Sequence, residues 1–173
     1  MASGGNEHLM EEPNDLLGDV EEVVIIKTEW NAPIVDELEA GCRRVLEKAG
    51  VANITVLVVP GAVEIPFAIN AYVNKAPYDA EAFIALGCVI KGDTPHFEYV
   101  CQSVTQGITI LNTQLDAPII FGVLTVNTEE QAKERLGGVH GHKGEEAAIT
   151  ALKMIALCRA LDHSGEEEEA EEE

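Results

Sequence analysis

Four short apolar runs alternate along this chain with segments of helical periodicity, and this alternation restricts the fold more than any other feature. The runs are rich in β-branched residues and occupy residues 23–26, 54–59, 82–90 and 119–126. Strands buried on both faces form continuous apolar runs, and their alternation with helices is typical of a parallel sheet covered on each side. The sequence therefore predicts a three-layer α/β/α sandwich with a central, mainly parallel four-stranded sheet.

The segments between the runs carry helix signals. Asn31 is expected to cap the first helix, Pro33 is tolerated in its first turn, and Gly50 is expected to end it. Further helices are predicted over residues 64–75, about 96–114, about 128–136, and from the glycine-rich segment 137–144 to about residue 161.

The charge of the chain, −20 over 173 residues, lies mainly at its two ends. Residues 1–22 and residues 164–173 each carry seven acids and no Lys or Arg, which leaves −6 for residues 23–163. We therefore expect an acidic N-terminal arm (residues 1–20), one α/β domain (residues 21–162) and a disordered acidic tail (residues 163–173). Without a basic stripe or an apolar run of ~18 residues, neither nucleic acid nor a membrane is an expected partner.

Cysteines and histidines give little sign of disulfides or metal. The four cysteines are widely spaced without a C-x-x-C pair, and no basic-then-apolar signal pattern begins the chain. Reduced, inert core thiols in a cytoplasmic protein are the expected reading. His140 and His142 form a pair, but zinc sites need three or four converging ligands, so a metal site is not favoured.

Polar and glycine-containing segments follow each of the four apolar runs. Because the carboxyl ends of parallel strands meet at one edge of a sheet, these segments are expected to converge there, where α/β proteins bind ligands. They are Trp30-Asn31, residues 60–64, residues 91–96 and Asn127-Thr128.

The residues of these segments, and Arg135 beyond them, each allow two interpretations. Trp30, the only tryptophan, suits stacking on a flat heterocycle but equally suits covering the edge of the core. Gly61 would let backbone amides and Glu64 bind a polyol, or would simply form a turn. His96 suits general acid–base catalysis or a polar place in a first helical turn. Arg135 suits a bidentate phosphate clamp or a solvated surface charge.

Six short motifs occur in order along the chain. They are Trp30-Asn31, PGAVEIP at residues 60–66, GCVIKGDTPHFEY at residues 87–99, FGVLT at residues 121–125, EEQA at residues 129–132 with Arg135, and GHKG at residues 141–144. Together they resemble the motifs of the lumazine synthase family, from about residue 22 to about residue 160. The resemblance implies a flavodoxin-like form of the predicted sandwich.

The resemblance also implies an activity. It is the condensation of 5-amino-6-(D-ribitylamino)uracil with 3,4-dihydroxy-2-butanone 4-phosphate to 6,7-dimethyl-8-ribityllumazine, which releases phosphate and water in the penultimate step of riboflavin biosynthesis. No cofactor and no metal is implied. Proton transfer is assigned to His96, and binding of the butanone phosphate to Asp93, Thr94 and Arg135. The residues implied for the pyrimidine and its ribityl chain are Trp30, Asn31, Ala62, Val63, Glu64, Cys88, Val89, Ile90, Phe121 and Lys143.

The same resemblance implies an oligomer. Phe121 is expected to enter the site of a neighbouring subunit, so the pocket would be complete only in a homopentamer. The turn over residues 137–144 lacks the insertion that accompanies free pentamers, which favours a 60-subunit icosahedral shell. Association with riboflavin synthase and a strand added to a neighbour by the N-terminal arm are further expectations. A non-catalytic flavin or lumazine carrier and a purely structural shell protein remain as alternatives.

Overall fold

The computed structural model describes residues 20–75 and 78–171, with side chains as far as Asp162. Its elements in chain order are β1 (Glu22–Thr28), α1 (Ala32–Lys48), β2 (Asn53–Val59), a 3-10 turn (Ala62–Glu64), α2 (Ile65–Val73), β3 (Ala80–Ile90), α3 (His96–Asn112), β4 (Ile119–Val126), α4 (Glu129–Lys133), β5 (Leu136–Gly138), β6 (Gly141–His142) and α5 (Lys143–Glu171). Strands β1 to β4 form one parallel sheet in the order β2-β1-β3-β4. The predicted three-layer sandwich is confirmed.

The helices cover the two faces of the sheet and divide the core into two clusters. Helices α1 and α5 pack on one face, and helices α2 and α3 pack on the other. Strand β1 contributes to both clusters, because Val23 and Ile25 face the first while Val24 and Ile26 face the second. Burial on both faces explains why the central strands have continuous apolar sequences rather than alternating ones.

The strand register places the carboxyl ends of all four strands at one edge of the sheet. Thr28 pairs with Val59 at the ends of β1 and β2, and Ile90 pairs with Val126 at the ends of β3 and β4. The pairing of β1 with β3 ends at Leu86, so the last residues of β3 extend beyond β1. The segments that follow the strands therefore converge as predicted.

Three predicted boundaries differ from the structure. Helix α4 ends at Lys133 rather than at about residue 136, because Leu136 begins strand β5. The glycine-rich segment after α4 contains a separate antiparallel hairpin, β5 with β6. Its sharp reversal uses Gly141 at a φ of 70°, a backbone conformation that glycine adopts without steric cost. Helix α5 continues past residue 161 into the segment assigned to the acidic tail, whose Glu and Ala residues have high helix propensity. The N-terminal arm and its expected strand lie outside the described residues, apart from Val20.

Helix α5 begins in close contact with helix α1. The Cys42 thiol donates a hydrogen bond to the Gly144 carbonyl at 3.0 Å, and a Cβ atom at Gly144 would lie only 2.0 Å from the Leu38 carbonyl oxygen. Burial raises the pKa of the Cys42 thiol to about 12, as expected for an inert core cysteine. The contact fixes the start of α5, and with it the adjacent residue Lys143.

Candidate active site

Trp30 projects from a short segment whose backbone is tied to two strand ends. The Trp30 N–H donates to the Pro60 carbonyl at 3.2 Å, and the Trp30 carbonyl accepts from the hydroxyl of Thr28 at 3.1 Å. Thr28 is buried, whereas the Trp30 side chain is 73% exposed. Of the two interpretations of Trp30, covering the core edge is therefore wrong, and the indole is open to a ligand. The sequence reading missed Thr28, although a polar residue that ends an apolar strand is a usable signal.

Asn31 does not cap helix α1 with its side chain, so that prediction is wrong. Its backbone is left-handed, with φ 58° and ψ 37°, and its side-chain amide instead donates to the Cys88 carbonyl at 2.8 Å. Side-chain capping needs an extended backbone at the N-cap position, which this residue does not have. The bond connects the segment after β1 to the end of β3.

The residues after β2 lie against Trp30. Ala62, Val63 and Glu64 form the 3-10 turn, in which Ala62 is buried and the other two are exposed. A Cβ atom at Gly61 would lie 3.5 Å from Trp30 Cδ1 and 3.1 Å from Glu64 Oε2. Because Gly61 has no side chain, the Trp30 indole and the Glu64 carboxylate both lie close to its backbone. This leaves room for a polyol to contact the same stretch of backbone.

Cys88, Val89 and Ile90 form the end of β3, and the structure presents their backbone rather than their side chains. Cys88 is buried, Ile90 packs towards the cluster of α1 and α5, and Val89 packs towards the cluster of α2 and α3. Burial, together with the nearby Glu129 carboxylate, raises the pKa of the Cys88 thiol to about 11. A protonated, buried thiol is a poor nucleophile, so this segment binds through its peptide groups if it binds a ligand.

The loop between β3 and α3 is exposed and polar. It begins at Lys91, whose N–H donates to the Val126 carbonyl at 2.9 Å, and it contains Asp93 and Thr94. His96 is the first residue of α3 and is exposed. The free amides of a helix N-terminus attract anions, so this loop is suited to an anionic group beside an imidazole that can transfer protons.

Arg135 follows α4, which begins with a well-formed cap. The Gln131 N–H donates to the Thr128 hydroxyl at 3.3 Å, and the guanidinium of Arg135 donates from Nη1 to the Gln131 carbonyl at 2.7 Å. Arg135 is half-buried, which does not fit a freely solvated charge. Nearby Lys133 is paired with Glu129 at 2.7 Å. The guanidinium donors of Arg135 that are not used for Gln131 can hold an anion.

Phe121 and Lys143 lie elsewhere, along the open side of β4. They line a groove of about 620 Å³ between β4 and α5, where Phe121 is 41% exposed and Lys143 donates to Glu146 at 2.7 Å. The Lys143 N–H also donates to the Arg135 carbonyl at 2.9 Å. Phe121 precedes the end of β4 by five residues, which is about 17 Å along a strand. A single chain thus does not bring Phe121 to the edge that carries Trp30 and His96.

The histidine pair of the hairpin has separate partners. His140 Nε2 lies 3.7 Å from a Glu134 carboxylate oxygen, while buried His142 accepts at Nδ1 from the Glu145 N–H at 3.4 Å. Within residues 20–75 and 78–171, no group of three potential metal-ligating side chains is found. In the same part of the chain, no helix combines the length and apolarity needed to cross a membrane.

Comparison with known proteins identifies the family of this chain. The family model of 6,7-dimethyl-8-ribityllumazine synthase matches residues 21–159, which include every predicted site residue. The chain belongs to this family. The lumazine synthase of Bacteroides fragilis is 50% identical over 140 residues, covering 80% of this chain and 96% of the relative.

Other lumazine synthases are similarly close. That of Porphyromonas gingivalis is 52% identical over 137 residues, covering 78% of this chain and 84% of the relative. That of Bdellovibrio bacteriovorus is 45% identical over 139 residues, covering 80% of this chain and 76% of the relative. The resemblance inferred from the six motifs is thereby confirmed.

Proposed function

We propose that this chain catalyses the condensation of 5-amino-6-(D-ribitylamino)uracil with 3,4-dihydroxy-2-butanone 4-phosphate. The products are 6,7-dimethyl-8-ribityllumazine, phosphate and water, in the penultimate step of riboflavin biosynthesis. Family membership over residues 21–159 supports this reaction. One observation carries the proposal. The exposed indole of Trp30, the carboxylate of Glu64 and the polar loop that ends at His96 converge at one edge of the sheet.

The pyrimidine substrate is assigned to the side of the site formed by β1, β2 and β3. Trp30 stacks on the ring, because its indole is exposed and its backbone is fixed. The peptide groups of Cys88, Val89 and Ile90 face the polar edge of the ring. The amides after Gly61, together with the Glu64 carboxylate, bind the ribityl hydroxyls.

The phosphate substrate is assigned to the loop before α3 and to Arg135. Thr94 supplies a hydroxyl and, with Asp93, backbone amides near the helix N-terminus. The guanidinium of Arg135 uses the donors left after its bond to Gln131 for a charge-assisted clamp on the phosphate. The two substrates are thus held in one reacting geometry, which is the main source of rate enhancement in this proposal.

His96 moves the protons. The amine of the pyrimidine attacks the ketone of the second substrate and forms an imine with loss of water, after which phosphate is eliminated. The ribitylamino nitrogen then attacks the carbonyl that the elimination leaves, and the ring closes with loss of a second water. Each step adds or removes a proton at carbon, nitrogen or oxygen, and the His96 imidazole serves as acid and base in turn. The nucleophile belongs to the substrate, so no covalent bond to the enzyme is needed.

The complete site is proposed to form between subunits. Phe121 and Lys143 line a groove beside β4, which has a paired neighbour on one side only. In a closed ring of heterologous contacts, this edge of one subunit would meet the site edge of the next. We propose a homopentamer that assembles further into a 60-subunit shell, because the hairpin of β5 and β6 is short.

Several wider assignments belong to the same proposal. The active enzyme is cytoplasmic, associates with riboflavin synthase, and uses its N-terminal arm to extend a sheet of a neighbouring subunit. Residues 1–20, 21–162 and 163–173 are proposed as arm, domain and tail, respectively. The free outer edge of β2, which carries no charged residue along Asn53–Val59, is available to an added strand.

A direct assay tests the activity. Purified protein is incubated with both substrates, and lumazine formation is followed by its absorbance, with either substrate omitted as the control. Light scattering on the same sample gives the particle mass. An assembled protein without turnover would contradict the enzyme and favour a carrier or shell protein, whereas active free pentamers would contradict the shell alone.

A further inference from the structure

Asn31 holds an unusual backbone conformation at the proposed site. Its φ of 58° is the only positive value at a non-glycine residue in the described part of the chain. The left-handed conformation disfavours most L-residues, although asparagine tolerates it better because its short polar side chain can form local hydrogen bonds. A conformation of this kind persists only where surrounding contacts hold it.

The contact that holds Asn31 is made with β3. The side-chain amide donates to the Cys88 carbonyl at 2.8 Å, across 57 positions of sequence. The ladder between β1 and β3 has already ended at Leu86, because the chain turns away from the sheet after Thr28. The Asn31 amide therefore occupies the place where a further residue of β1 would have donated to β3.

The neighbouring residue Trp30 is fixed by the other two strand ends. Its N–H donates to the Pro60 carbonyl beyond β2, and its own carbonyl accepts from the Thr28 hydroxyl at the end of β1. The indole is 73% exposed and is covered mainly by the turn after β2, so its direction depends largely on this backbone. Asn31 adds the only one of these bonds that reaches β3.

We propose that Asn31 is a positioning residue that sets the distance between the stacking face of Trp30 and the peptide edge at Cys88. The inference rests on the proposed function, since a pyrimidine would have to fill both places at once. It also changes the role expected for Asn31, which was direct contact with the pyrimidine substrate. Its side-chain amide already donates to Cys88, so Asn31 affects substrate binding by holding Trp30 and Cys88 in place. Loss of the bond should loosen both surfaces that contact the ring.

Two substitutions remove the bond in different ways. Asn31→Gly keeps easy access to the left-handed backbone but has no amide. Asn31→Asp keeps the size of the side chain and its tolerance of positive φ, but it presents an acceptor to the carbonyl. Asn53→Asp is the matched control, because the Asn53 amide donates to the Glu21 carbonyl at 3.2 Å at the opposite end of the same sheet.

The first readout is fluorescence anisotropy of the substrate-free protein. Trp30 is the only tryptophan, so the signal comes from this residue alone. Both Asn31 variants should lower the anisotropy relative to wild type and to Asn53→Asp, at unchanged particle mass. Equal anisotropy in all four proteins would overturn the proposed link.

The second readout separates the two substrates. Each Asn31 variant should raise the KM for the pyrimidine about tenfold, the effect of losing roughly 1.4 kcal/mol of binding, while kcat and the KM for the phosphate substrate change less than about threefold. A raised pyrimidine KM with unaltered anisotropy would overturn positioning in favour of direct contact. Absence of turnover in the wild type would refute the proposed function, and the anisotropy would still test the link.

Discussion

The proposed site residues fall into two groups. One group is held by contacts within a single chain, and the other is left exposed by it. At the carboxyl edge of the sheet, hydrogen bonds from β1, β2 and β3 converge on Trp30 and Asn31, and Glu64 lies beside them. At the open side of β4, Phe121 is exposed above a groove and touches none of that edge. The first group is preorganised within a single fold, whereas the second presents an apolar ring on an edge strand of the sheet, a pattern typical of an interface.

The difference indicates which interactions a partner subunit has to supply. A sheet edge framed by part-buried hydrogen bonds is fixed without a partner, and the proposed stacking and peptide groups lie on such an edge. An aromatic side chain in an open groove gains its binding free energy only when a neighbour covers it. The following predictions test this division between a self-contained part and a shared part of the site.

The largest effect is expected for Arg135→Ala. Loss of charge-assisted hydrogen bonds to the phosphate should lower kcat/KM for the butanone phosphate about 10³-fold, while binding of the pyrimidine changes little. Steady-state kinetics with each substrate varied in turn would measure both quantities. Lys133→Ala is the control, since Lys133 is paired with Glu129 and should be dispensable. Equal losses for both substrates would place Arg135 in the framework of the site instead.

A smaller loss is expected for His96→Ala. Removal of a general acid and base should lower kcat about 10²-fold with the KM of either substrate largely kept, because the positioning groups remain. Half-buried His140 of the hairpin provides a control, and its substitution by alanine should leave turnover intact. Unchanged turnover in His96→Ala would remove this residue from the mechanism.

Mixed oligomers can decide which groups come from different subunits. Lys143 connects Arg135 to the groove of Phe121, since its N–H donates to the Arg135 carbonyl. If Arg135 and His96 meet across an interface, joint refolding of the two inactive variants at equal amounts should restore about a quarter of the sites. Refolding each variant alone is the control. Failure to recover activity, with mixed particles demonstrated by mass spectrometry, would assign both residues to one subunit.

The parts of the fold that depend on burial were predictable from the sequence. Strands β1 and β3 are buried on both faces, so their continuous apolar runs predicted a parallel sheet. In a parallel sheet the loops that follow the strands lie at one edge, which predicted the position of the site. The hairpin of β5 and β6 was missed because its three-residue and two-residue strands are too short for any periodic signal.

The fine structure of the site was less predictable, for a different reason. An asparagine before a helix ordinarily indicates a side-chain cap, yet Asn31 bonds to a carbonyl 57 residues away. A local pattern cannot reveal a partner that only the tertiary fold brings near. The exposure of Trp30 was left open for the same reason, because its position after a strand end suits stacking and core coverage equally.

The smallest effect is expected for Cys88→Ala. The buried thiol, with a pKa of about 11, stays protonated at pH 8 and contributes packing, so its removal should cost about 1 kcal/mol of stability and change kcat by less than twofold. Thermal unfolding and steady-state turnover would measure the two effects. Cys42→Ala, which removes a buried thiol between α1 and α5, is the matched control and should behave alike. A tenfold loss of turnover confined to Cys88→Ala would mean that the side chain, and not the peptide backbone that Asn31 holds, meets the substrate.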